Sequence, residues 1–438
     1  MNTKAEVLVI GGGLAGSEAA YYLASRGIKT TLWEMKPQKF SPAHHSPNFG
    51  ELVCSNSLKS NDIYANACGL LKEEMRVLGS MLIEAADATS VPAGAALAVD
   101  RDKFSEYITK KLRSCPNLTI KNGECEQIPE TSEEGGRYAI IATGPLTSDS
   151  LFAPIKTLTG GELHFYDASA PIVSADSIDM QKAFTGDRYG KGTGDYINCP
   201  LNKEEYYAFV EALLCAEKAI LHDFEKREIF EGCMPIEIMA SRGVDTLRYG
   251  TLKPVGLAGE DGARPFAVLQ LRKENEYGTA YNLVGFQTNL KFPEQKRVFS
   301  MIPALKNAEF LRYGVMHRNT YIESPSVLNA DFSFKNNKAL YFAGQITGVE
   351  GYVESAASGL IAAISIADKI MGKEPKVWDN QTVCGALCSH ISTPNAAFQP
   401  MNANFGILQP LDMRIRDKKE RYKALAERAI CRIKDYAF

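Results

Sequence analysis

No stretch of eighteen consecutive apolar residues occurs in this 438-residue chain, so no membrane-spanning helix is expected. The first strand-like run begins at residue 6, which leaves no room for a secretory leader. The ten cysteines follow no framework spacing, and reduced thiols of a cytoplasmic protein are the expectation. Cys384-x-x-x-Cys388 with His390 brings only three metal-ligating side chains together, so two core thiols are expected there and no metal. A strong excess of either charge is also missing. The net charge of −3 argues against general affinity for nucleic acid. There is no internal repeat and no low-complexity segment.

Against these absences stands one dense motif. The apolar run Glu6-Val-Leu-Val-Ile10 leads into Gly11-Gly12-Gly13-Leu14-Ala15-Gly16, after which a small-residue helix is expected with Gly27 as its stop. Gly11 suits a tight turn, Gly13 lets the backbone approach a pyrophosphate, and Gly16 lets helix and strand pack closely. The helix N-terminus offers free N–H groups to phosphate. Glu34 closes the next strand, Lys29 to Glu34, 18 residues after Gly16. That placement suits a carboxylate accepting a ribose 2′-hydroxyl, which favours FAD or NAD over NADP.

Two later segments favour FAD. Tyr138 to Pro145 reads as a strand ending at Thr143-Gly144. Ala339 to Gly344 reads as another, followed by Gln345, Gly348, Gly351 and Tyr352 and by an Ala- and Ser-rich helix from Glu354 to Ile370. A long dinucleotide needs a second helix N-terminus of this kind. No second Gly-x-Gly-x-x-Gly is present, so NAD(P)H is expected only as a transient reductant. The expected fold is α/β: a Rossmann-like, glutathione-reductase-like FAD domain, residues 1–155 plus 335–438. It is split by an inserted α+β substrate domain at 156–334, where antiparallel strands are expected around a turn at 276–278.

Two cysteines stand in unusual contexts. Cys54 precedes Ser55-Asn56-Ser57, which are helix N-cap types, and a thiol at a helix N-terminus gains thiolate character. Cys233 lies in a turn-forming context with Arg242 and Arg248 close behind. Residues 414 to 434 carry nine Lys/Arg against Asp417, Glu420 and Glu427, a local excess of +6 on an expected terminal helix. That excess reads either as a solvated helix face or as a phosphate-contacting patch.

The chain resembles the bacterial flavin- and folate-dependent tRNA (uracil-5-)-methyltransferases, the TrmFO family. The segments that carry the resemblance include Gly11 to Gly16, Glu51-Leu-Val-Cys-Ser-Asn-Ser57, Phe230-Glu-Gly-Cys-Met-Pro-Ile-Glu237 and Val268-Leu-Gln-Leu-Arg272. Gly285 to Leu290, Pro293 to Arg297, Arg312-Tyr-Gly-Val-Met-His-Arg-Asn319, Gly344 to Tyr352 and Gln399 to Gly406 follow in order. The fingerprint alone also fits the related GidA flavoproteins that modify the wobble uridine, which carry a further helical C-terminal region.

The resemblance implies methylation of carbon 5 of the T-loop uridine of tRNA. Methylenetetrahydrofolate would be the carbon donor, reduced FAD the hydride donor and NAD(P)H the reductant. It implies Cys233 as the nucleophile that attacks uracil, and Cys54 as the base at carbon 5 or a group acting at the flavin. Gly11, Gly12, Gly13, Leu14, Ala15, Gly16 and Glu34 would hold the adenosine and pyrophosphate of FAD. Thr143, Gly144, Gly344, Gln345, Gly348, Gly351 and Tyr352 would lie toward the flavin, with Tyr352 packing against it. Arg242, Arg248, Arg272, His317 and Arg318 are candidates for folate or RNA, with Lys253, Lys291 and Arg297 as further cations. The same chemistry on a ribosomal-RNA uridine, a flavoprotein oxidoreductase for a small molecule, and a non-catalytic RNA-binding flavoprotein remain open at this point.

Overall fold

A computed structural model describes residues 5–161, 163–190, 193–219, 234–259, 262, 264–396 and 398–437, with backbone alone for 163–167, 317 and 318. One sheet has six strands in the order Ser333–Phe334, Asn337–Phe342, Arg137–Ile141, Glu6–Ile10, Lys29–Glu34 and Leu118–Asn122. All neighbours are parallel except the Ser333–Phe334 edge. The apolar strand Glu6–Ile10 sits inside, in register with Lys29–Glu34 on one side and Arg137–Ile141 on the other. Strands covered on both faces read as continuous apolar runs, as Val-Leu-Val-Ile does here.

The helix Leu14–Ser25 makes the crossover from the first strand to the second, and Gly27 at φ +81° ends it. A second helix, Tyr352–Met371, packs along it. Its small residues are the reason the two can touch backbone to backbone. A Cβ on Gly359 would lie 2.1 Å from the carbonyl oxygen of Ala15.

A second sheet is wholly antiparallel, in the order Phe184–Thr185, Tyr196–Leu201, Ala267–Lys273, Ala280–Leu283, Ile172–Ser174 and Phe310–Arg312. The strands expected around 276–278 are present in this sheet. The helix Lys203–Cys215, started by a reciprocal Asn202/Glu205 capping box, and the helix Phe292–Phe299 join its core. Two apolar cores result, one drawn from 5–155 and 322–436, the other from 170–308. The antiparallel ribbon of Leu163–Ala168 and Met316–Tyr321 carries the chain between them. Among the described residues no helix is long and apolar enough to cross a membrane.

One local expectation fails. No helix starts after Cys54. Ser57–Ser60 is a short strand paired with Ala96–Val99, and the next helix begins at Ala67 behind the Asn66 cap. The serines are used differently. Ser55 Oγ accepts from Ser57 N–H and Ser57 Oγ from Lys59 N–H, turns that compete with helix formation.

Candidate functional site

A cleft of about 1100 Å³ opens at the carboxyl ends of the parallel strands. It lies where the chain order reverses on either side of Glu6–Ile10, the position at which open α/β sheets bind ligands. Gly11, Gly13, Leu14, Ala15, Glu34, Thr143, Gly144, Gly344, Gln345 and Tyr352 all line it. Gly11 has φ +100°, and a Cβ there would lie 2.6 Å from the oxygen of Ala142, so no other residue fits. A Cβ on Gly13 would meet nothing within 4 Å, which leaves the backbone at the helix start open to the cleft. Neither Leu14–Ser25 nor Tyr352–Met371 has a side-chain cap, since Gly13 and Gly351 precede them. Two helix N-termini therefore keep N–H groups available to an anion.

Glu34 is buried at the edge of this cleft. Its carboxylate accepts the Gly12 N–H and, at 2.9 Å, the Lys36 N–H. Each oxygen retains a further lone pair, so a ribose hydroxyl could still be accepted. The loop after the second strand folds back over the fingerprint: Gly50 N–H donates to Gly12 O at 2.9 Å, and a Cβ on Gly12 would strike the Phe49 ring. Gly16 and Gly348 do not line the cleft. Each is packed where a Cβ would collide, with Gly11 O and the Phe398 ring respectively.

Cys54 lies beside the cleft, next to Val53, which lines it. The Tyr352 phenol oxygen accepts the N–H of Cys54 at 2.7 Å and of Ser55 at 3.3 Å. These bonds occupy its lone pairs, so its own proton is left for Cys54 Sγ, 2.9 Å away. Burial pushes the Tyr352 phenol well above its ordinary range, with the nearby Cys54 adding to the effect, so the phenol keeps that proton.

Three arginines close on the same segment. Arg101 donates to Leu52 O (2.7 Å), Arg312 to Val53 O (2.6 Å), and Arg272 to Ser55 Oγ (2.8 Å) and Asn56 Oδ1 (3.0 Å). Burial pushes Arg272 and Arg312 downward, yet a guanidinium starts so high that it stays charged. One carboxylate, Glu274, pairs with Arg101 at 2.8 Å. The positive field around Cys54 thus comes from three side chains rather than a helix end.

The remaining expected residues scatter. Among the described residues, Arg272 is the one substrate candidate that the structure brings to Cys54. Arg248 is used internally, stacked 3.6 Å from the Phe266 ring centroid and donating to Phe266 O. Arg242 is exposed at the end of the helix Ile236–Ser241. Lys291 and Arg297 pair with Glu217 and Glu294. Cys233 and the side chains of His317 and Arg318 lie outside the described residues.

The chain just after Cys233 is firmly placed. Ile236 N–H donates to Gln287 O, and the buried Glu237 accepts from Thr288 Oγ1 (2.9 Å) and Asn289 N–H (2.8 Å). Gln295 in turn bridges Leu290 O and Gly314. Four of the sequence motifs therefore meet as one scaffold. Arg101, Glu274 and Arg312 are the residues that sequence reasoning missed. Arg312 stood in a quoted motif, whereas Arg101 opens an ordinary amphipathic helix, Arg101–Ser114, with no local signal. Cys384 and Cys388 are core thiols, both pushed well up by burial.

Comparison with known proteins agrees with this geometry. A family profile described as "Glucose inhibited division protein A" matches residues 6–374. The methylenetetrahydrofolate--tRNA-(uracil-5-)-methyltransferase TrmFO of Acetivibrio thermocellus is 56% identical over 431 residues, covering 98% of both chains. The protein of the same name from Halalkalibacterium halodurans is 54% identical over 431 residues, again covering 98% of each. Among solved structures, Aquifex aeolicus GidA (form I crystal) superposes with a TM-score of 0.72 at 18% identity, covering 98% of this chain and 76% of that one; it shares the fold. The dinucleotide cleft and full-length identity lead to one assignment: the chain belongs to the TrmFO family, within the wider GidA group.

Proposed function

We propose that this chain methylates carbon 5 of the T-loop uridine of tRNA, taking the carbon from methylenetetrahydrofolate. The full-length identity to TrmFO proteins carries the reading. The cleft that can hold FAD, with Cys54 at its margin, supplies the chemistry it needs. FAD bound there, with NAD(P)H as reductant, supplies the hydride that takes a formaldehyde-level carbon to a methyl group. Gly11, Gly13 and the start of Leu14–Ser25 hold the pyrophosphate, and Glu34 the ribose. Thr143, Gly144, Gly344 and Gln345 follow the cofactor toward Tyr352.

Carbon 5 of uracil is a poor nucleophile. Addition of the Cys233 thiolate to carbon 6 makes carbon 5 enolate-like, and it attacks the one-carbon donor. Cys54, oriented by Tyr352, removes the carbon 5 proton as the bond from the transferred carbon to the folate nitrogen breaks, releasing tetrahydrofolate and leaving a methylene on carbon 5. A hydride added to that methylene makes the methyl group as the C6–S bond breaks to release Cys233. The target base leaves its stack to reach the site. Residues 156–334, with their own core, act as the substrate domain, and the reduced thiols suit the cytoplasm.

The test is methyl incorporation into a tRNA transcript lacking T-loop methylation, with FAD, NADPH and methylenetetrahydrofolate supplied. Folate-dependent 5-methyluridine, lost in both Cys54→Ala and Cys233→Ala, is expected. No product from protein whose flavin is bound and reducible overturns the reading.

A further inference from the structure

The basic excess near the C-terminus is absorbed by none of this chemistry, and the structure sorts seven of its nine cations into two groups, with Lys423 paired to Glu427 and Lys434 in the last turn outside both. Arg421 donates to Ile415 O at 3.3 Å, Arg428 to Gln409 O and Pro410 O, and Arg432 pairs with Asp379 and Asp435. These cations fold the terminal helix Lys418–Ile433 onto the chain before it. Arg414, Arg416, Lys418 and Lys419 are exposed and make no ion pair among the described residues. Asp417, in their midst, caps the helix by accepting the Glu420 N–H at 2.9 Å, and Lys418 Nζ lies 5.3 Å from the Tyr422 ring centroid.

The location of the second group is unfavourable for the fold itself. The start of a helix is the positive end of its dipole, where acids stabilise and cations repel. Four cations against the single carboxylate of Asp417 within six residues leave a local excess of +3 and add mutual repulsion. The helix is held by Leu425, Ala426, Ala429 and Ile433, which do not need them. An external polyanion turns the same arrangement into an attractive one, and a row of cations matches a run of phosphates better than a single small anion.

The row also connects to the site. Tyr422, in the first turns of the helix, stacks on Phe405 with centroids 4.2 Å apart. The strand of chain just before Phe405 bonds the flavin-side turn. Met401 N–H donates to Gly348 O, Glu350 N–H to Met401 O, and Ala403 N–H to Glu354 at 2.9 Å. Gly348 to Glu354 flank Tyr352 and hence Cys54.

We propose that Arg414, Arg416, Lys418 and Lys419 form a docking ridge for the phosphate backbone of the RNA substrate, a proposal that rests on the function given above. The test uses the full-length flavoprotein with Arg414→Gln, Arg416→Gln, Lys418→Gln and Lys419→Gln combined, titrated with tRNA transcript at several salt concentrations. Kd should weaken at least about tenfold, and the slope of log Kd against log salt should fall by about 3. Reduction of bound flavin by NADPH should match wild type, since none of the four side chains lines the cleft. If the fourfold variant does not fold, the two adjacent pairs changed separately should each lower the slope by about 1.5. Wild-type affinity and slope in the variants overturn the ridge. Wild-type protein that binds tRNA with the full salt slope but makes no 5-methyluridine overturns the functional reading and leaves the ridge standing.

Discussion

Tyr352 and Cys54, 298 residues apart, are joined by two hydrogen bonds: the phenol oxygen accepts the cysteine N–H at 2.7 Å and faces its sulfur at 2.9 Å. Tyr352 is also the first residue of the long helix whose start borders the cleft. The helix that presents its N-terminus to the cofactor cleft therefore also sets the position of a candidate catalytic thiol.

Tyr352→Phe keeps the ring and removes that link. Two backbone N–H groups lose their acceptor, which costs about 1–3 kcal/mol of stability. Single-turnover methylation should slow by roughly 10–100-fold with little change in tRNA affinity, because a hydrogen bond to a charged group contributes about 1.5–3 kcal/mol. Unchanged turnover would show that the phenol does not orient Cys54.

Glu34→Gln tests the adenosine end of the cleft. Glutamine retains one acceptor oxygen but cannot receive both Gly12 and Lys36 N–H groups through a charged carboxylate. FAD affinity, followed by release of free-flavin fluorescence, should fall by roughly tenfold. Glu34→Ala should lose more.

Gly359→Ala would raise intrinsic helix propensity by about 1 kcal/mol, yet the prediction is destabilisation. The new methyl would sit 2.1 Å from the Ala15 carbonyl oxygen, and forcing the two helices apart costs more, typically about 1–3 kcal/mol or above. The same displacement widens the gap between the two helix N-termini, so thermal stability and flavin retention should fall together.

Stability should depend on pH through two carboxyls that cap helices from a distance. Glu18 accepts the N–H groups of Met81 and Leu82, and Glu74 those of Val383 and Cys384. Burial pushes both from an ordinary 4.5 up to about 7, against the lowering effect of those bonds. Between these values the folded chain holds protons that the unfolded chain has released. Their contribution is full below about pH 4.5 and is lost as pH rises through 7, on the order of 3 kcal/mol for each group. Urea midpoints at pH 5, 6 and 8 should decline in wild type. The Glu18→Gln/Glu74→Gln variant should flatten that trend.

Much of the cofactor half was legible in the chain because its signals are local. A strand, a turn that only glycine can make and a following helix occupy consecutive residues 6–25, and the second strand ends at Glu34 as expected. The failure at Cys54 was local too. Ser55-Asn56-Ser57 suits a helix cap and a serine turn alike, and pairing with Ala96–Val99 decided between them. Arg101 gave no signal at all, since nothing in its own helix distinguishes it from a solvated arginine.

By itself, then, the order of residues determined the strands of the parallel sheet, the glycine turn with the helix that follows it, and the chemical inventory of thiols and cations. Each depends on backbone conformation or on side-chain type within a few positions. The folded structure alone decided which cations act together. Arg101, Arg272 and Arg312 come from three distant segments, and only the packing of the two cores against each other brings them to residues 52–56. It likewise separated Arg421, Arg428 and Arg432, which close the terminal helix onto its neighbours, from Arg414, Arg416, Lys418 and Lys419, which face solvent at its start. Electrostatic interactions act through space and weaken with distance and solvent exposure, so their partners cannot be read from spacing along the chain.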